Sequence, residues 1–366
     1  MPASTDTEMR SGFLPDRIIH IHPTRLCNLA CLHCYSESGP NQKASLDLEP
    51  LQHALQLLKD EGYTQISLSG GEPLTYGPLL PLIDHAHTLG FRVTLISNGL
   101  FPAKRMDEVV SRLDGVAISF DGLAATHNFI RGRADAFERA CATLQRLADN
   151  GQPVAAAISL TREAVPELPD LADHLVSLGA KALQVRPVAL AGRARSMTQI
   201  SNFTAADRAR LYLVVLALQE ELGNDVRIRC DLAPARSLWQ QRDAYAALLA
   251  NCERDPTDRL MSDLINPLVI TDAGNLKPIA YDFNPFFDVS SIDTVSRQQL
   301  ADYKRHRLAH FQTLIGTALT LLENNTGLVD WFDYCTRLSE EPRINTASIH
   351  GFNRINPRIK SVSISG

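Results

Sequence analysis

A regular alternation of short apolar runs and longer amphipathic stretches, from residue 17 to about residue 190, constrains this chain's fold most. Six runs have the length and β-branched content of strands: Arg17–His22, Gln65–Ser69, Phe91–Ser97, Val116–Phe120, Pro153–Leu160 and Ala182–Pro187. Helical patterns lie between them at Leu48–Glu61, Pro78–Leu89, Ala134–Asn150 and Leu168–Leu178. We therefore expect an α/β fold, a partial (β/α)6 TIM-like barrel, with its functional loops at the carboxyl ends of the strands.

Beyond residue 190 the regular alternation of predicted strands and helices ends. A long helix, a strand and another helix are predicted at Thr204–Leu222, Val226–Cys230 and Pro234–Ala250. A hairpin follows around the turn from Thr271 to Gly274, and then a helical region at Ser296–Glu323. We expect an N-terminal segment (1–16), the barrel (17–190), a barrel-completing part with a linker helix (191–232) and a smaller α+β C-terminal extension (233–366).

Charge and apolar content argue against two classes of partner. The formal net charge is −5 and the pI about 6.1, so the chain lacks the basic field that favours nucleic acid. The apolar run Leu211–Leu218 is too short to cross a bilayer. Residues Met1 to Phe13 lack the apolar core of an export signal. We therefore expect a cytoplasmic protein that binds neither nucleic acid nor a membrane.

Three of the seven cysteines, Cys27, Cys31 and Cys34, follow the first predicted strand with the spacing C-x₃-C-x₂-C. An odd number of cysteines without an export signal argues against a disulfide framework. Three thiolates on one loop suit a cubane iron–sulfur cluster and leave one iron open to a further ligand. A structural zinc site with His33 as its fourth ligand is the alternative, although closed zinc sites favour paired ligand spacings.

The loop from residue 24 to residue 35 resembles the signature loop of radical S-adenosylmethionine (SAM) enzymes. The resemblance implies that Cys27, Cys31 and Cys34 bind a 4Fe–4S cluster whose open iron takes the amino and carboxylate groups of SAM. Reduction by one electron then releases a 5′-deoxyadenosyl radical, which abstracts hydrogen from the substrate. His33 stands at the loop's aromatic position, which implies a contact near the adenine; a core histidine is the alternative.

A glycine-rich turn after the second predicted strand resembles the family's GGEP motif. In the family this motif holds the methionine amino group of SAM, and paired glycines permit a tight turn that exposes backbone groups to a ligand. Taken alone, such a turn would be an ordinary loop; its distance after the cysteine triplet favours the cofactor role. The candidate residues are Gly70, Gly71, Glu72 and Pro73.

Segments at the ends of later strands resemble parts of the family's SAM site. Two of them resemble segments that line the ribose and the methionine carboxylate, and they contribute Ser97, Asn98, Ser119 and Asp121. Arg131 falls where peptide-modifying members carry an arginine for that carboxylate, and arginine can form a bidentate pair with it. A solvated surface arginine is the alternative. Arg186, at the end of the sixth strand, is a candidate adenine contact.

The C-terminal extension resembles the SPASM or twitch extension of many relatives, but it lacks their cysteines. Its hairpin from Leu268 to Pro278 matches, yet Ile279 follows the proline where relatives usually carry cysteine. After Cys252 the next and last cysteine is Cys335, and two thiolates cannot complete a four-cysteine cluster site. We therefore expect a degenerate SPASM/twitch-like extension without an auxiliary cluster.

Cys230, at the end of the strand Val226–Cys230, is a candidate catalytic residue. In radical epimerases that resemble this branch, a thiol returns a hydrogen atom to the substrate radical. Cys230 could serve in that role if it faces the mouth of the barrel. A buried structural cysteine is the alternative.

The resemblance implies an enzyme that acts on unactivated C–H bonds. A ribosomally synthesised peptide is the first expected substrate, because Arg131 and the hairpin resemble the peptide-maturase branch. The product would be a crosslink, an epimer or another C–H modification. A small molecule or cofactor precursor is the alternative substrate. A non-catalytic iron–sulfur or zinc protein that binds a partner or senses redox state is the second class, although a sensor would not need the SAM-site residues.

The resemblance also implies partners. A reductant such as ferredoxin or flavodoxin would supply the electron. About sixteen residues precede the first predicted strand, too few for a domain that binds a peptide leader. A separate recognition protein or the C-terminal tail would then have to provide that contact.

Overall fold

The structure is a computed structural model that describes residues 17–197, 202–250 and 255–341. Its strands are β1 (Ile18–Ile21), β2 (Gln65–Leu68), β3 (Arg92–Ser97), β4 (Gly115–Phe120), β5 (Val154–Leu160), β6 (Ala182–Pro187), β7 (Arg227–Cys230), β8 (Leu232–Pro234), β9 (Leu268–Ile270), β10 (Asn275–Pro278), β11 (Ser290–Ser291) and β12 (Leu328–Asp330). Its helices are α1 (Leu48–Asp60), α2 (Leu79–Thr88), α3 (Ala103–Val110), α4 (Ala124–Arg131), α5 (Ala136–Asp149), α6 (Leu168–Ser177), α7 (Ala205–Leu222), α8 (Ala235–Gln240), α9 (Ala246–Leu249), α10 (Met261–Leu264), α11 (Arg297–His306), α12 (Leu308–Glu323) and α13 (Trp331–Ser339).

Ten strands form one sheet in the order β11-β10-β9-β1-β2-β3-β4-β5-β6-β7. Strands β1 to β7 pair in parallel in chain order, as repeated βαβ units produce. Strand β9 pairs in parallel with the free side of β1, and β10 and β11 continue the sheet in antiparallel pairs. Strands β8 and β12 form a separate antiparallel pair.

The parallel strands have a buried outer face and a partly exposed inner face. On β1, Ile19 and Ile21 are fully buried, whereas His20 between them is only half-buried. The outer face belongs to the same apolar core as Leu55 of α1 and Leu144 of α5. Because side chains alternate along a strand, the inner face receives the small and polar residues, and the sheet keeps an open concave side.

The sheet curves strongly, as a barrel requires. Strands β1 and β6 are separated by four others, yet Arg193, in the segment after β6, donates from Nε to Cys31 O, in the loop after β1, at 2.8 Å. Burial first, and Arg186 second, lower the pKa of His20 to about 4. The predicted α/β partial barrel is therefore confirmed, with β7 and β9 as additional parallel strands at its two ends.

The C-terminal extension joins the barrel through the sheet. The predicted hairpin is present as β9 and β10, with Leu276 opposite Ile270. Two predicted helices are interrupted: Pro234–Ala250 contains α8 and α9 with a 3-10 turn between them, and Ser296–Glu323 divides at Arg307 into α11 and α12. The proposed boundaries at residues 190 and 232 stay predictions. Within the described ranges no helix is both long and apolar enough to span a bilayer.

Candidate active site at the mouth of the barrel

The cysteine loop follows β1 at the carboxyl end of the parallel strands. Cys27, Cys31 and Cys34 are free thiols. The backbone N–H of Leu29 donates to Cys27 Sγ at 3.4 Å, and that of Ser38 donates to Cys34 Sγ at 3.3 Å. Donors aimed at sulfur stabilise the negative charge of a thiolate. The loop therefore directs backbone donors at two of its three sulfur atoms.

The thiols and their surroundings fit an iron–sulfur cluster. Burial raises the pKa of Cys27 to about 12 and also raises that of Cys31, and a bound metal would remove these protons because ligation deprotonates thiols. His33 points its Nε2 at Asp121, 2.7 Å away, which argues against a zinc site completed by this imidazole. In the part of the chain that the structure describes, no three His, Cys, Asp or Glu side chains converge as one metal ion requires. Three cysteines on one loop, with His33 engaged by Asp121, fit a cubane cluster better than a closed zinc site.

The GGEP-like turn lies directly against the cysteine loop. The N–H of Gly71 donates to Thr24 O at 2.9 Å, and the N–H of Glu72 donates to Leu26 O at 2.9 Å. A Cβ atom on Gly71 would lie 2.3 Å from Leu26 O, so only glycine allows this approach. The turn therefore supports the backbone that leads into Cys27.

Glu72 connects this turn to the end of β3. Its Oε1 accepts from Ser97 Oγ at 3.0 Å, and its Oε2 accepts from the N–H of Asn98 at 2.9 Å. Burial raises the pKa of Glu72 to about 7, against the opposing effect of these donors. Pro73 is buried and begins a 3-10 turn. Asn98 in turn donates from Nδ2 to Asn28 Oδ1 at 2.7 Å, so β3 is tied to the cysteine loop as well.

Asp121, after β4, is the centre of a second buried group. Its Oδ1 lies 2.7 Å from His33 Nε2, and its Oδ2 accepts from Arg131 Nε at 2.5 Å. Arg131 Nη2 adds a bond of 3.1 Å to Oδ1, which makes the pair bidentate. Burial alone would raise the pKa of Asp121, but Arg131 and then His33 hold it well below its usual range. Asp121 is therefore an anion that orients both His33 and Arg131.

The remaining predicted residues lie on the inner face or beside it. Ser119 is half-buried and opposite Ala157 of β5, so it faces the open side of the sheet. Arg186 lies across the barrel, with its Nε 3.4 Å from Asp231 Oδ2. Burial and then the carboxylate of Asp231 raise the pKa of Asp330 to about 7. The residues predicted for the SAM site thus surround one opening, and their roles stay predictions.

The position of Cys230 argues against the predicted role as a hydrogen-atom donor. Cys230 pairs with Val185 of β6, which is fully buried on the outer face. The Cys230 side chain is likewise buried, and its burial raises the pKa to about 12. The inner position belongs to Asp231, one residue later, which contacts Gln184 and Arg186. Side chains alternate between the two faces of a strand, so Cys230 lies on the outer face and its neighbour Asp231 takes the inner position that was predicted for Cys230.

An aromatic group at the same opening was not predicted. His22 stacks on Tyr281 with 4.7 Å between ring centroids, and Tyr35 packs edge-on against His22 at 5.6 Å. Tyr281 donates from its hydroxyl to Asp272 Oδ1 at 2.5 Å. The hairpin of the extension thereby reaches the cysteine loop. Sequence alone indicated only that Tyr35 follows Cys34.

Comparison with known proteins agrees with this geometry. The profile of the Radical SAM superfamily matches residues 21–175. The subtilosin biosynthesis protein AlbA of Bacillus subtilis is 30% identical over 178 residues, which are 48% of this chain and 40% of AlbA. The sporulation killing factor maturation protein SkfB of the same species is 31% identical over 173 residues, 47% of this chain and 42% of SkfB. The chain thus spans well under half the length of these two relatives.

Further similarities involve a heme-related enzyme and a solved structure. An AdoMet-dependent heme synthase of Methanosarcina barkeri is 28% identical over 230 residues, 62% of this chain and 65% of that protein. The structure of Streptococcus suis SuiB bound to S-adenosylmethionine has a TM-score of 0.62 at 16% identity, over 82% of this chain and 68% of SuiB. At this identity SuiB shows a common fold. The family profile covers the cysteine loop at the barrel mouth and continues to α6, so residues 21–175 are similar to the Radical SAM superfamily, and the chain resembles its peptide-maturase-like branch.

Proposed function

We propose that this chain is a radical SAM enzyme that modifies a C–H bond of a ribosomally synthesised peptide. The observation that carries the proposal is the loop with Cys27, Cys31 and Cys34, which lies at the barrel mouth against the GGEP-like turn and the Asp121 group. When bound, a 4Fe–4S cluster supplies one electron to SAM and so generates the 5′-deoxyadenosyl radical that takes hydrogen from the substrate. The chain's own residues would hold and orient these groups.

The orienting roles follow from the contacts of the side chains. Asp121 fixes the imidazole of His33 and the guanidinium of Arg131, which the family resemblance assigns to the adenine side and the carboxylate side of SAM. Glu72 fixes the ends of β2 and β3 relative to each other. A preformed arrangement of this kind lowers the ordering cost of binding. Direct contacts of Gly70, Gly71, Ser97, Asn98, Ser119 and Arg186 with SAM are part of the proposal.

A peptide substrate is favoured by the relatives. AlbA and SkfB are named for bacteriocin biosynthesis and killing-factor maturation, and SuiB is also known bound to its precursor peptide SuiA. In this chain the concave side of the sheet bears half-buried residues such as His20, Ser119 and Arg186, which leaves a surface that a peptide segment can reach. A ferredoxin-like or flavodoxin-like reductant and a separate leader-recognition protein are the proposed partners. The cytoplasmic location stays a prediction.

A small molecule or cofactor precursor is the second candidate substrate. The heme synthase of Methanosarcina barkeri matches a larger share of this chain, 62%, than either maturase does. Inside the barrel, Gln184 and Arg186 both contact Asp231, and such a polar group suits a compact polar ligand. Modification of a precursor peptide by the purified enzyme would decide for the first substrate class.

The activity is tested most directly by the fate of SAM. The full chain is reconstituted anaerobically with iron and sulfide, reduced with dithionite and supplied with SAM, and 5′-deoxyadenosine is measured by mass spectrometry. Its formation, and its loss after Cys27→Ala, is the expected result. A chain that holds zinc in place of iron, or a fully loaded cluster that never cleaves SAM even with precursor peptides, would favour a non-catalytic protein.

A further inference from the structure

The loop that carries the three cysteines is held from its far side by a segment that returns after β6. In the 3-10 segment Gly192–Met197, Arg193 reaches back to the loop with three donors. Its backbone N–H donates to Cys34 O at 3.0 Å. Its Nε donates to Cys31 O and its Nη2 to Ser38 O, both at 2.8 Å. One side chain thus joins carbonyls on both sides of Cys34.

The residue before Arg193 is adapted to this contact. A Cβ atom on Gly192 would lie 2.2 Å from Tyr35 O and 2.6 Å from Cys34 O, so a larger residue would push the segment away from the loop. Gly192 also has a φ of +51°, which residues with a side chain adopt at a cost. The close approach is therefore built into the backbone.

Arg193 also brings a positive charge to the cysteines. Arg131 is paired with Asp121 through two bonds, whereas in the described ranges no carboxylate pairs with Arg193 and its donors are used on carbonyls. Nε of Arg193 donates to Cys31 O at 2.8 Å, which places the guanidinium charge beside that cysteine. The carbonyl that Arg193 holds at Ser38 belongs to the residue whose N–H donates to Cys34 Sγ. The clamp therefore acts on the surroundings of two sulfur atoms.

We propose that Arg193 is a positioning residue that clamps the cluster-binding loop and makes a bound iron–sulfur cluster easier to reduce. The inference rests on the part of the proposed function that places a cluster on Cys27, Cys31 and Cys34. Net charge and hydrogen bonding around the sulfurs set the potential of such clusters. A cation nearby stabilises the reduced form, which carries one more negative charge.

The test measures the cluster itself, in the reconstituted full chain without SAM. The midpoint potential is obtained by an EPR-monitored redox titration, and the rate of iron loss to a chelator is followed by absorbance. Arg193→Gln should shift the reduction equilibrium about tenfold toward the oxidised form, a fall of about 59 mV for one electron. Arg193→Lys keeps the positive charge but lacks the guanidinium that bonds both Cys31 O and Ser38 O. This variant should lose iron to the chelator roughly tenfold faster than wild type.

Arg195→Gln is the matched control. Arg195 lies on the same segment, but it is exposed and pairs with Glu340 at 3.5 Å, away from the loop. A potential for Arg193→Gln equal to that of the control overturns the proposal. If Arg193→Gln assembles no cluster, Arg193→Lys decides: faster iron release supports the clamp, and release at the wild-type rate overturns it. Shifted potentials in a chain that never forms 5′-deoxyadenosine would refute the proposed activity and leave this inference intact.

Discussion

The cysteine loop and the hairpin of the extension are two turns at the same end of one sheet, and they differ in what fills them. Around the loop, N–H groups of Leu29 and Ser38 converge on sulfur. On the second strand of the hairpin, β10, buried Lys277 donates from Nζ to Phe283 O at 2.8 Å and to Asp288 Oδ1 at 2.9 Å. The cysteine loop directs N–H donors at sulfur atoms that can bind a metal. The hairpin region instead pairs its buried lysine with acceptors of the protein itself.

The extension beside the hairpin is also closed by aromatic packing. Next to the hairpin, Phe283 packs edge-on against Phe287 at 5.4 Å and against Phe311 at 6.2 Å. All three rings are buried and close the space inside the extension. The comparison indicates that a fold of this type can keep its hairpin with a hydrophobic core and an ion pair. We therefore expect the two regions to respond differently to matched substitutions.

Removal of a thiol should have the largest effect. Cys27→Ala, Cys31→Ala and Cys34→Ala should each reduce bound iron from about four atoms per chain to nearly none, because each removes one of the three predicted ligands. Cys335→Ala, in the core of the extension, should leave the iron content unchanged. Iron and sulfide analysis after anaerobic reconstitution measures both. Loss of iron from Cys335→Ala would show that the extension holds metal and would break the comparison.

Removal of a buried carboxylate should destabilise both regions but disturb only one site. Asp121→Asn leaves Arg131 buried without its anion, and Asp288→Asn does the same to Lys277. Asp121→Asn should lower the free energy of unfolding by about 3–5 kcal/mol, and Asp288→Asn by less, because Asp288 is more exposed. Urea unfolding of the apoprotein measures this cost. Equilibrium dialysis should show weaker SAM binding only for Asp121→Asn; equal SAM affinity in both variants would contradict the role of Asp121.

Replacement of a glycine by alanine should affect iron binding at the cysteine loop but not at the hairpin. In Gly71→Ala the new Cβ meets Leu26 O, and we expect a cost of roughly 1–3 kcal/mol together with incomplete iron incorporation. Gly274 has a φ of +81° in the hairpin, and a Cβ there would lie 3.0 Å from the Ile292 side chain, so Gly274→Ala should cost about 1–2 kcal/mol, mainly through its backbone. Iron content should then be normal. Full iron incorporation in Gly71→Ala would show that the loop tolerates a shift of its backbone.

The smallest effect at neutral pH concerns a buried histidine. Burial, and then the neighbouring His20, lower the pKa of His22 to about 3. A histidine with a depressed pKa contributes stability that is full above its unfolded pKa of about 6.5 and is lost as the pH falls toward 3. Between these values His22→Gln should reduce the slope of unfolding free energy against pH by up to about 1.4 kcal/mol per unit. His306→Gln, exposed in the extension, is the control in urea titrations, and equal slopes for both variants would contradict the assignment.

The order of the barrel strands and the residues that follow them could be predicted from local sequence patterns. Apolar alternation indicated β1 to β6 to within one or two residues, because a strand with one face on a core must repeat every second residue. The cysteine spacing and the GGEP-like turn were equally visible, since both lie within a few consecutive residues. The short helices α3 and α4 were missed, because their amphipathic patterns are brief.

Contacts between residues far apart in the sequence depend on the three-dimensional fold and could not be predicted. Cys230 was a candidate by its position at a strand end, but the register with Val185 turned it outward and turned Asp231 inward. Asp121 with His33, Tyr281 with His22, and Arg193 with Cys31 are pairs separated by 88, 259 and 162 positions. Such contacts arise from the curvature of the sheet and the return of the chain to its first strand, which no local pattern of residues encodes.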